Sequence, residues 1–424
     1  MSVRPKTPRT SITGADWLSW PGTVRIFEAL SAGGHKVRAV GGAVRDTLLG
    51  RPVQDIDFAT DASPETVMEL VSAAGLKAIP TGLKHGTVTV VADQRGYEVT
   101  TLRQDVETFG RHANVEFTDD WRADASRRDF SINALYADAD GAVFDPLDAI
   151  ADIEQRRVRF IGDARARVEE DYLRILRFFR FNAELETGAF DEDGLAACVR
   201  ERHGLHGLSG ERVAAELMRL LRADGAIPAH RKMYDHGLLV DILRGVPNIA
   251  RAERLVEIET TLGVDADAVL RLAGLGVFVR EDAERLAASL RLSNAERDRL
   301  AMFSALPTVP VDADEAELSR VLFRFGKAGG RDAALKSWAA SGKAPHDKVW
   351  QDLLVRLESL PVPEFPVKGA DLVGLGATEG PAMGEVLKQL EARWLEGGCA
   401  DTKTKLLAKA GKLLADGAQH SLKG

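Results

Sequence analysis

The sequence predicts an α+β fold, in which a small mixed sheet with helices is followed by an all-helical remainder. In residues 23–162, helical patterns alternate with short β-branched runs. Beyond Gly162 recognisable strands fade, and helical periodicity takes over in segments such as EEDYLRILRFFRF and ERVAAELMRLLRA. The chain has 424 residues, which is too long for one ordinary core, so about two to four domains are expected.

The first helices and strands have recognisable start and stop signals. Residues 23–34 are predicted to form a helix that ends at a glycine pair, and HKVRAV a strand that leads into Gly41. The next helix begins with Ser63 as N-cap and Pro64 at its first position. The β-branched runs HGTVTVVAD and YEVTTL flank a DQRG turn, which predicts a hairpin.

The later segments give weaker signals. Residues 103–125 are polar and broken by glycine, which predicts a long loop. The run SRRDFSINALYAD is predicted to be a helix, followed by a strand or turn, a short helix and another strand. Linkers are predicted at residues 306–314, 326–330 and 360–371.

Composition limits the class of protein. Hydrophobic residues make up 45% and charged residues 28%, as in soluble globular proteins. There is no run of eighteen apolar residues and no apolar segment near the N-terminus, so we expect neither a membrane span nor a secretory signal. Cys198 and Cys399 are the two cysteines and neither belongs to a CxxC pair, which predicts no zinc motif, no disulfide framework and a cytoplasmic location.

The charge balance narrows the kind of nucleic-acid partner. The net charge of −8 argues against a protein that coats nucleic acid non-specifically. A local basic groove that binds a nucleic-acid substrate is compatible with it, because phosphate contacts need only a patch.

One stretch, Val40 to Phe58, combines features of a nucleotide and metal site. Its glycine pair lets backbone N–H groups approach a phosphate, and Arg45 could reach the same phosphates. Asp55 and Asp57 are two apart, so on a strand they face the same side and could bind Mg²⁺. The alternative interpretation of a bare DxD pair is a solvated turn with two surface aspartates.

The longer pattern GGAVRDTLLGRPVQDID resembles the signature of the polymerase β-type nucleotidyltransferases. The chain is similar to their bacterial class II branch, the tRNA CCA-adding enzymes and poly(A) polymerases, from Val40 to about Leu221 and again from Val367 to Gly397. The resemblance implies a polymerase β-type catalytic head and an all-α neck, body and tail. The predicted boundaries are an N-terminal extension at 1–22, the head at 23–162, the base-recognising neck at 163–230, the helical body at 231–360 and a tRNA-binding helical tail at 361–424.

The resemblance also implies which residues of the head are catalytic and which bind the nucleotide. Asp55 and Asp57 are the expected catalytic carboxylates, which would hold two Mg²⁺ ions. Glu98 is a third catalytic candidate, although a partly buried structural glutamate is an equal alternative. The nucleotide would be bound by residues of the glycine turn and the helix after it: Gly41, Gly42, Arg45 and Asp46.

The block RRDFSINAL, residues 127–135, resembles the family's RRDFTINA, with Ser131 in place of threonine. Its two arginines, Arg127 and Arg128, suit a triphosphate because guanidinium groups match phosphate oxygens. Asp129 and Asn133 are implied to orient the nucleotide sugar. Without the resemblance, the block would be a helix start with exposed arginines.

The block EEDYLRILRFFRF resembles the family's protein template for base selection. The resemblance implies that Asp171 and Arg174 bond to the Watson–Crick edge of the incoming base, and that Arg177 and Arg180 support them. An acceptor and a donor can read the amino group and ring nitrogen of both cytosine and adenine. The alternative interpretation is a solvated intrahelical Asp–Arg pair.

The implied activity is addition of C, C and A to tRNA 3′ ends from CTP and ATP, with release of pyrophosphate. The partners would be tRNA, through its 3′ end and acceptor arm, and nucleoside triphosphates, with no membrane and no zinc. The segment GLKHGTVTV favours the CCA-adding group, and the alternatives are a poly(A) polymerase or an enzyme restricted to CC or A addition. Intact Asp55 and Asp57 argue against a non-enzymatic RNA-binding relative, and residues 103–125 are the candidate for the switch from C to A addition.

Overall fold

The computed structural model describes residues 11–109, 112–378 and 380–421. They form two compact units, divided in the sequence between Ile242 and Leu243, of which the first carries the sheet. The strands are β1 (Val37–Val40), β2 (Asp57–Thr60), β3 (Lys77–Gly82), β4 (Thr87–Ala92), β5 (Arg95–Thr101), β6 (Arg103–Phe109), β7 (His112–Phe117), β8 (Tyr136–Ala137) and β9 (Val143–Phe144).

The α-helices of the first unit surround the sheet and continue beyond it. They are α1 (Pro21–Ala32), α2 (Gly42–Leu48), α3 (Pro64–Ala73), α4 (Trp121–Ser126), α5 (Ile150–Glu154), α6 (Ala164–Glu170), α7 (Leu173–Glu184), α8 (Glu192–Arg200), α9 (Gly210–Arg222), α10 (Ala226–Asp235) and α11 (Leu238–Leu243). Short 3₁₀ turns lie at Asp16–Ser19, Leu83–His85, Ser131–Asn133 and Arg202–Gly207.

The described residues of the second unit form helices joined by loops, and they contain no strand. Its helices are α12 (Ile249–Leu262), α13 (Ala268–Gly276), α14 (Arg280–Leu290), α15 (Asn294–Ala305), α16 (Glu315–Ala340), α17 (Lys348–Ser359), α18 (Gly369–Val373), α19 (Pro381–Glu396) and α20 (Lys403–Ser421). The predicted α+β class, a mixed sheet followed by helices, is therefore confirmed. Among the residues described, no helix has both the length and the apolar character needed to cross a membrane.

The main sheet has seven strands in the order β3-β4-β5-β2-β1-β8-β9. Strand β2 lies at its centre, antiparallel to β1 and parallel to β5. Asp57, the first residue of β2, is therefore opposite Val40 on one side and Glu98 on the other. This register places the end of β1, and the glycine turn after it, beside the predicted carboxylates.

The two faces of the sheet are packed by different elements. Phe58 contacts Phe27 of α1 edge-to-face, with ring centroids 5.1 Å apart. The next residue, Ala59, belongs to a buried cluster with Trp121 of α4 and Tyr136 of β8. Because successive side chains of a strand alternate, α1 and α4 cover opposite faces, and Asp57 lies on the α4 face.

The predicted loop at 103–125 is wrong, because β6, β7 and α4 occupy it. Strands β6 and β7 form a separate two-stranded sheet, in which Gln104 donates to Glu116. A two-stranded ribbon need not bury one face, so its sequence lacks the apolar alternation by which strands are recognised.

The predicted helix at SRRDFSINALYAD is also wrong. The Ser131 N–H donates to Arg159 O, and the Ile161 N–H donates to Asp129 O. These long-range bonds replace helical ones, and only a 3₁₀ turn forms before β8. The predicted linker at 326–330 lies inside α16, which is kinked at Gly326 (φ 66°, ψ −171°).

Candidate active site

A cavity of about 660 Å³ opens beside the start of β2. Eleven of the fifteen residues predicted from the sequence line it, and four do not. Those that line it are Gly41, Gly42, Arg45, Asp46, Asp55, Asp57, Arg128, Asp129, Asn133, Arg177 and Arg180. The sequence reasoning did not assign the other lining residues, among them Gln54, Phe181, Arg219 and Arg222.

Asp55 and Asp57 both open onto this cavity, while Ile56 between them is buried. The protein around Asp57 removes water from its carboxylate, and the charges of Glu98 and Asp55 repel it. These effects outweigh the attraction of Arg128 and raise the pKa of Asp57 to about 6. Burial is thus the main reason that the Asp57 carboxylate is harder to ionise than an exposed one.

The glycine turn borders the carboxylates. Gly41 has a left-handed φ of 71° with ψ −117°, a conformation that favours glycine, and it precedes the first residue of α2. Its N–H donates to Leu135 O, so the turn is tied to the strand on the far side of β1. An added Cβ at Gly41 would lie 3.8 Å from a guanidinium nitrogen of Arg128, which shows how close the turn is to that arginine.

Arg45 is buried and fully engaged with neighbouring polar groups. It donates to both carboxylate oxygens of Asp46 (2.9 Å each) and to Asn133 Oδ1 (2.6 Å). Asn133 Nδ2 in turn donates to Asp129 Oδ1 at 3.0 Å. The predicted phosphate and sugar residues thus form one connected network on the cavity wall.

Asp124 of α4 is a site residue that the sequence reasoning missed. It is 1% exposed and accepts hydrogen bonds from Arg127, Arg128 and the Tyr136 hydroxyl. Burial alone would raise its pKa, but the charges of Arg128 and Arg127 prevail and lower it to about 2. Its spacing of three and four residues before the arginines, on a short helix, was the available signal. Arg127 bonds to Asp124 and does not line the cavity.

Helices α7 and α9 are joined by six alternating charges, which we call the charge chain: Asp129, Arg177, Glu216, Arg180, Glu184 and Arg219. Arg177 contacts Asp129 at 2.6 Å and Glu216 at 3.3 Å. Arg180, 1% exposed, lies between Glu216 and Glu184. The charge chain fixes the arginines of α7 along the cavity wall.

Asp171 and Arg174 do not line the cavity beside β2. Asp171 is extended and precedes α7, whereas Arg174 is in the first turn of α7, so the two are not an intrahelical pair. Asp171 bonds to Arg212 at 2.7 Å and lines a separate cavity with Tyr172 and Ser209. Arg174 bonds to Glu170 and to the Arg167 carbonyl. Their assignment to base recognition stays a prediction.

The carboxylates suit a divalent cation. Glu98 is paired with Asp57 in register, although it does not line the cavity. In the described part of the chain no three or more His, Cys, Asp or Glu side chains form a metal-binding group. Mg²⁺ is usually held by only one or two carboxylates together with substrate phosphates, so Asp55 and Asp57 are a sufficient protein donor set.

Residues 37–159 match the family model of the poly A polymerase head domain, and residues 189–252 match that of the probable RNA and SrmB-binding site of polymerase A. The chain is 34% identical to the mitochondrial CCA tRNA nucleotidyltransferase 1 of Mus musculus, over 91% of this chain and 89% of that protein. It is 30% identical to a CCA-adding enzyme of Lactobacillus delbrueckii subsp. bulgaricus, over 86% and 90% of the two chains.

A solved structure, the Bacillus stearothermophilus CCA-adding enzyme in complex with CTP, superposes with a TM-score of 0.74 and 29% identity. The match covers 94% of this chain and 98% of that one.

Proposed function

Because this chain belongs to the class II CCA-adding tRNA nucleotidyltransferases of the polymerase β-type superfamily, we propose that it adds C, C and A to tRNA 3′ ends from CTP and ATP. The observation that carries the proposal is the cavity in which the glycine turn, Asp55 and Asp57, and the Arg128 guanidinium meet. A triphosphate, a divalent cation and an attacking hydroxyl need these groups together.

In the proposed reaction the RNA 3′-hydroxyl attacks the α-phosphate of the nucleotide. A bond forms between that oxygen and the α-phosphorus, and the bond from the α-phosphorus to the oxygen that bridges to the β-phosphate breaks. Pyrophosphate leaves with that electron pair, and the hydroxyl proton passes to water. The two Mg²⁺ ions that Asp55 and Asp57 would hold supply charge neutralisation and lower the pKa of the hydroxyl.

The remaining groups act by positioning and charge. The backbone N–H of Gly42, at the first position of α2, and the guanidinium of Arg128 border the carboxylates, where they would bind the triphosphate, and Gly41 would shape the turn that lets the phosphates approach. Asp129 and Asn133, already bonded to each other, would orient the sugar. Asp171 and Arg174 would read the base, which requires that Asp171, before α7, and Arg174, in the first turn of α7, be presented to the cavity.

The test uses tRNA transcripts that end before CCA, after C and after CC, each with labelled CTP or ATP. Addition of three nucleotides that then stops is the expected result. Long A tails would identify a poly(A) polymerase instead. Extension of only some transcripts would identify a CC-adding or A-adding enzyme.

A further inference from the structure

Phe181 of α7 lies where several cations of the cavity beside β2 come together. Its ring lines that cavity but is only 3% exposed. Three guanidinium groups lie around the ring, with their central carbons 3.9 Å (Arg180), 5.0 Å (Arg45) and 5.3 Å (Arg177) from its centroid. The proposed reaction gives this ring no role.

The three cations come from two helices of the first unit. Arg45 belongs to α2, the helix after the glycine turn, whereas Arg177 and Arg180 belong to α7. By hydrogen bonds, Arg45 reaches Arg177 through two intermediate groups, Asn133 and Asp129. Phe181 contacts both guanidinium groups directly, so its ring is the shorter connection between α2 and α7.

The carboxylates and the ring contact different parts of these guanidinium groups. The N–H groups of Arg180 donate to Glu216 and Glu184. Those of Arg177 donate to Asp129 and Glu216. Such in-plane bonds leave the faces of a guanidinium available for stacking, and the negative face of an aromatic ring attracts a cation there, most strongly where water is excluded. Phe181 therefore adds an attraction that the carboxylates do not supply.

This attraction matters because the three cations repel one another. The carboxylates of the charge chain bond to Arg177 and Arg180, while Arg45 bonds to Asp46 of its own helix. Phe181 contacts all three cations. A site whose cations are already in place does not use the binding energy of the nucleotide to order them.

We propose that Phe181 is a positioning residue, whose ring holds Arg45 of α2 and Arg177 and Arg180 of α7 in one arrangement for the incoming nucleotide. The inference rests on the proposed function and extends it to a group that acts through other side chains. Arg45 bonds to Asn133 and Arg177 bonds to Asp129, the two residues that would orient the sugar. Because the sugar and the triphosphate are common to CTP and ATP, the effect of the ring should be equal for both nucleotides.

The test weakens the attraction of the ring for cations at nearly constant size. Phe181 is replaced by phenylalanine with one, two or three ring fluorines, introduced through an amber codon, because each fluorine withdraws electron density from the ring face. The Kd for CTP and for ATP, measured without RNA, should rise stepwise and equally, by about tenfold for three fluorines.

Steady-state kinetics with the same variants should follow the binding series. The KM for CTP, with a transcript that ends before CCA, and the KM for ATP, with one that ends after CC, should rise by the same factor. The KM for RNA should stay unchanged, because the ring acts on the nucleotide groups.

Phe178, on the same helix, provides the matched control. It is 0% exposed and packs against the rings of Phe130 and Phe160, and among the residues that the structure describes no cation lies over it. The fluorinated series at Phe178 should leave both Kd values unchanged. Phe181→Leu should raise both Kd values and Phe181→Tyr, which keeps an aromatic face, should restore them. If Phe181→Leu unfolds, the fluorinated series decides by itself.

The outcomes distinguish the two proposals. Kd values that ignore fluorination at Phe181, or respond equally to fluorination at Phe178, would refute the positioning role and leave the function standing. A rise for one nucleotide alone would also refute it, because the ring would then contact the base. If the wild-type enzyme extends none of the tRNA transcripts, the proposed function fails, and the Kd series, which needs no RNA, still decides the role of Phe181.

Discussion

At the residue scale, Asp57 combines a proposed catalytic role with a folding penalty. A carboxylate whose pKa is raised in the folded protein binds its proton more tightly there than in the unfolded chain. The penalty is absent near pH 4 and grows as pH rises through the folded pKa of about 6. Asp57→Asn should therefore abolish nucleotide transfer but keep or raise the melting temperature at pH 7.5 in EDTA.

The control for Asp57→Asn is Asp119→Asn, at an exposed aspartate outside the cavity, which should leave transfer and the melting temperature unchanged. Transfer is measured by primer extension and melting by calorimetry. Near wild-type incorporation by Asp57→Asn would contradict the assignment of the carboxylate.

The pKa of Asp124 is shifted in the opposite direction, so this carboxylate stabilises the folded protein. Its pKa of about 2 lies below the ordinary 3.8, so its contribution to stability is present above about pH 4 and is lost as pH falls toward 2. Asp124→Asn should lower the free energy of unfolding by about 2 to 4 kcal/mol at pH 7, because two half-buried guanidinium groups lose their buried carboxylate.

The destabilisation by Asp124→Asn should shrink as the pH is lowered from 4 to 2, and thermal unfolding across that range measures it. The CTP KM should also rise, because Arg128 loses the group that holds it beside the cavity. A pH-independent difference in melting temperature would argue that packing, and not charge, is responsible.

At the element scale, the hairpin of β6 and β7 connects β5 to α4, the helix that carries Asp124. Its position in the chain favours it as the switch between C and A addition. Replacing residues 106–114 with a two-residue turn should spare C addition and impair A addition. Transcripts that end before CCA and after CC, tested in parallel, measure the two steps, and equal loss of both would count against this role.

The kink of α16 depends on one glycine. Gly326 has φ 66° and ψ −171°, a region that L-residues with a Cβ avoid, so Gly326→Ala should destabilise by about 1 to 3 kcal/mol. Gly384 lies within α19, where an added Cβ meets nothing within 4 Å. Gly384→Ala should stabilise by about 0.4 to 1 kcal/mol. Calorimetry measures both, and shifts of the same sign would refute the argument.

The elements that the sequence predicts correctly are those specified by local signals. Ser63 does accept the N-cap bond from Thr66, Pro64 does begin α3, and the DQRG turn does join β4 to β5. Strands β6 and β7 were not predicted because they lack the apolar alternation by which strands are recognised. Residues 126–138 could not be predicted because their backbone bonds go to partners far away in the sequence. Ser131, for example, bonds to Arg159 rather than within a helical turn.

In the candidate site, too, the sequence locates the residues of contiguous motifs but not the contacts between distant segments. The glycine turn and the DxD pair are contiguous motifs, so the sequence locates them. The link between Asp129 of the RRD block and Glu216 of α9 runs through Arg177, and no local pattern reports it. The directions of Asp171 and Arg174 depend on where α7 begins, which periodicity defines only to within a residue or two.

At the scale of the whole molecule, the net charge of −8 means that RNA must be attracted by local positive surface. The KM for tRNA should therefore rise steeply with KCl, with a log–log slope of about 0.7 to 0.9 for each phosphate contacted. Titration of KCl between 50 and 200 mM, with CTP saturating, measures it. A flat response would indicate recognition without phosphate contacts.

The charge chain between α7 and α9 has a consequence for how such enzymes diverge. Its members alternate in sign, and Arg180 and Glu216 at its centre are buried, so losing either leaves the other uncompensated. Exchanging both for apolar residues restores neutrality. Strong epistasis should follow. Single changes at Arg180 or Glu216 should be eliminated by selection, and the two positions should be substituted jointly, so that the evolutionary history of α9 is tied to that of α7.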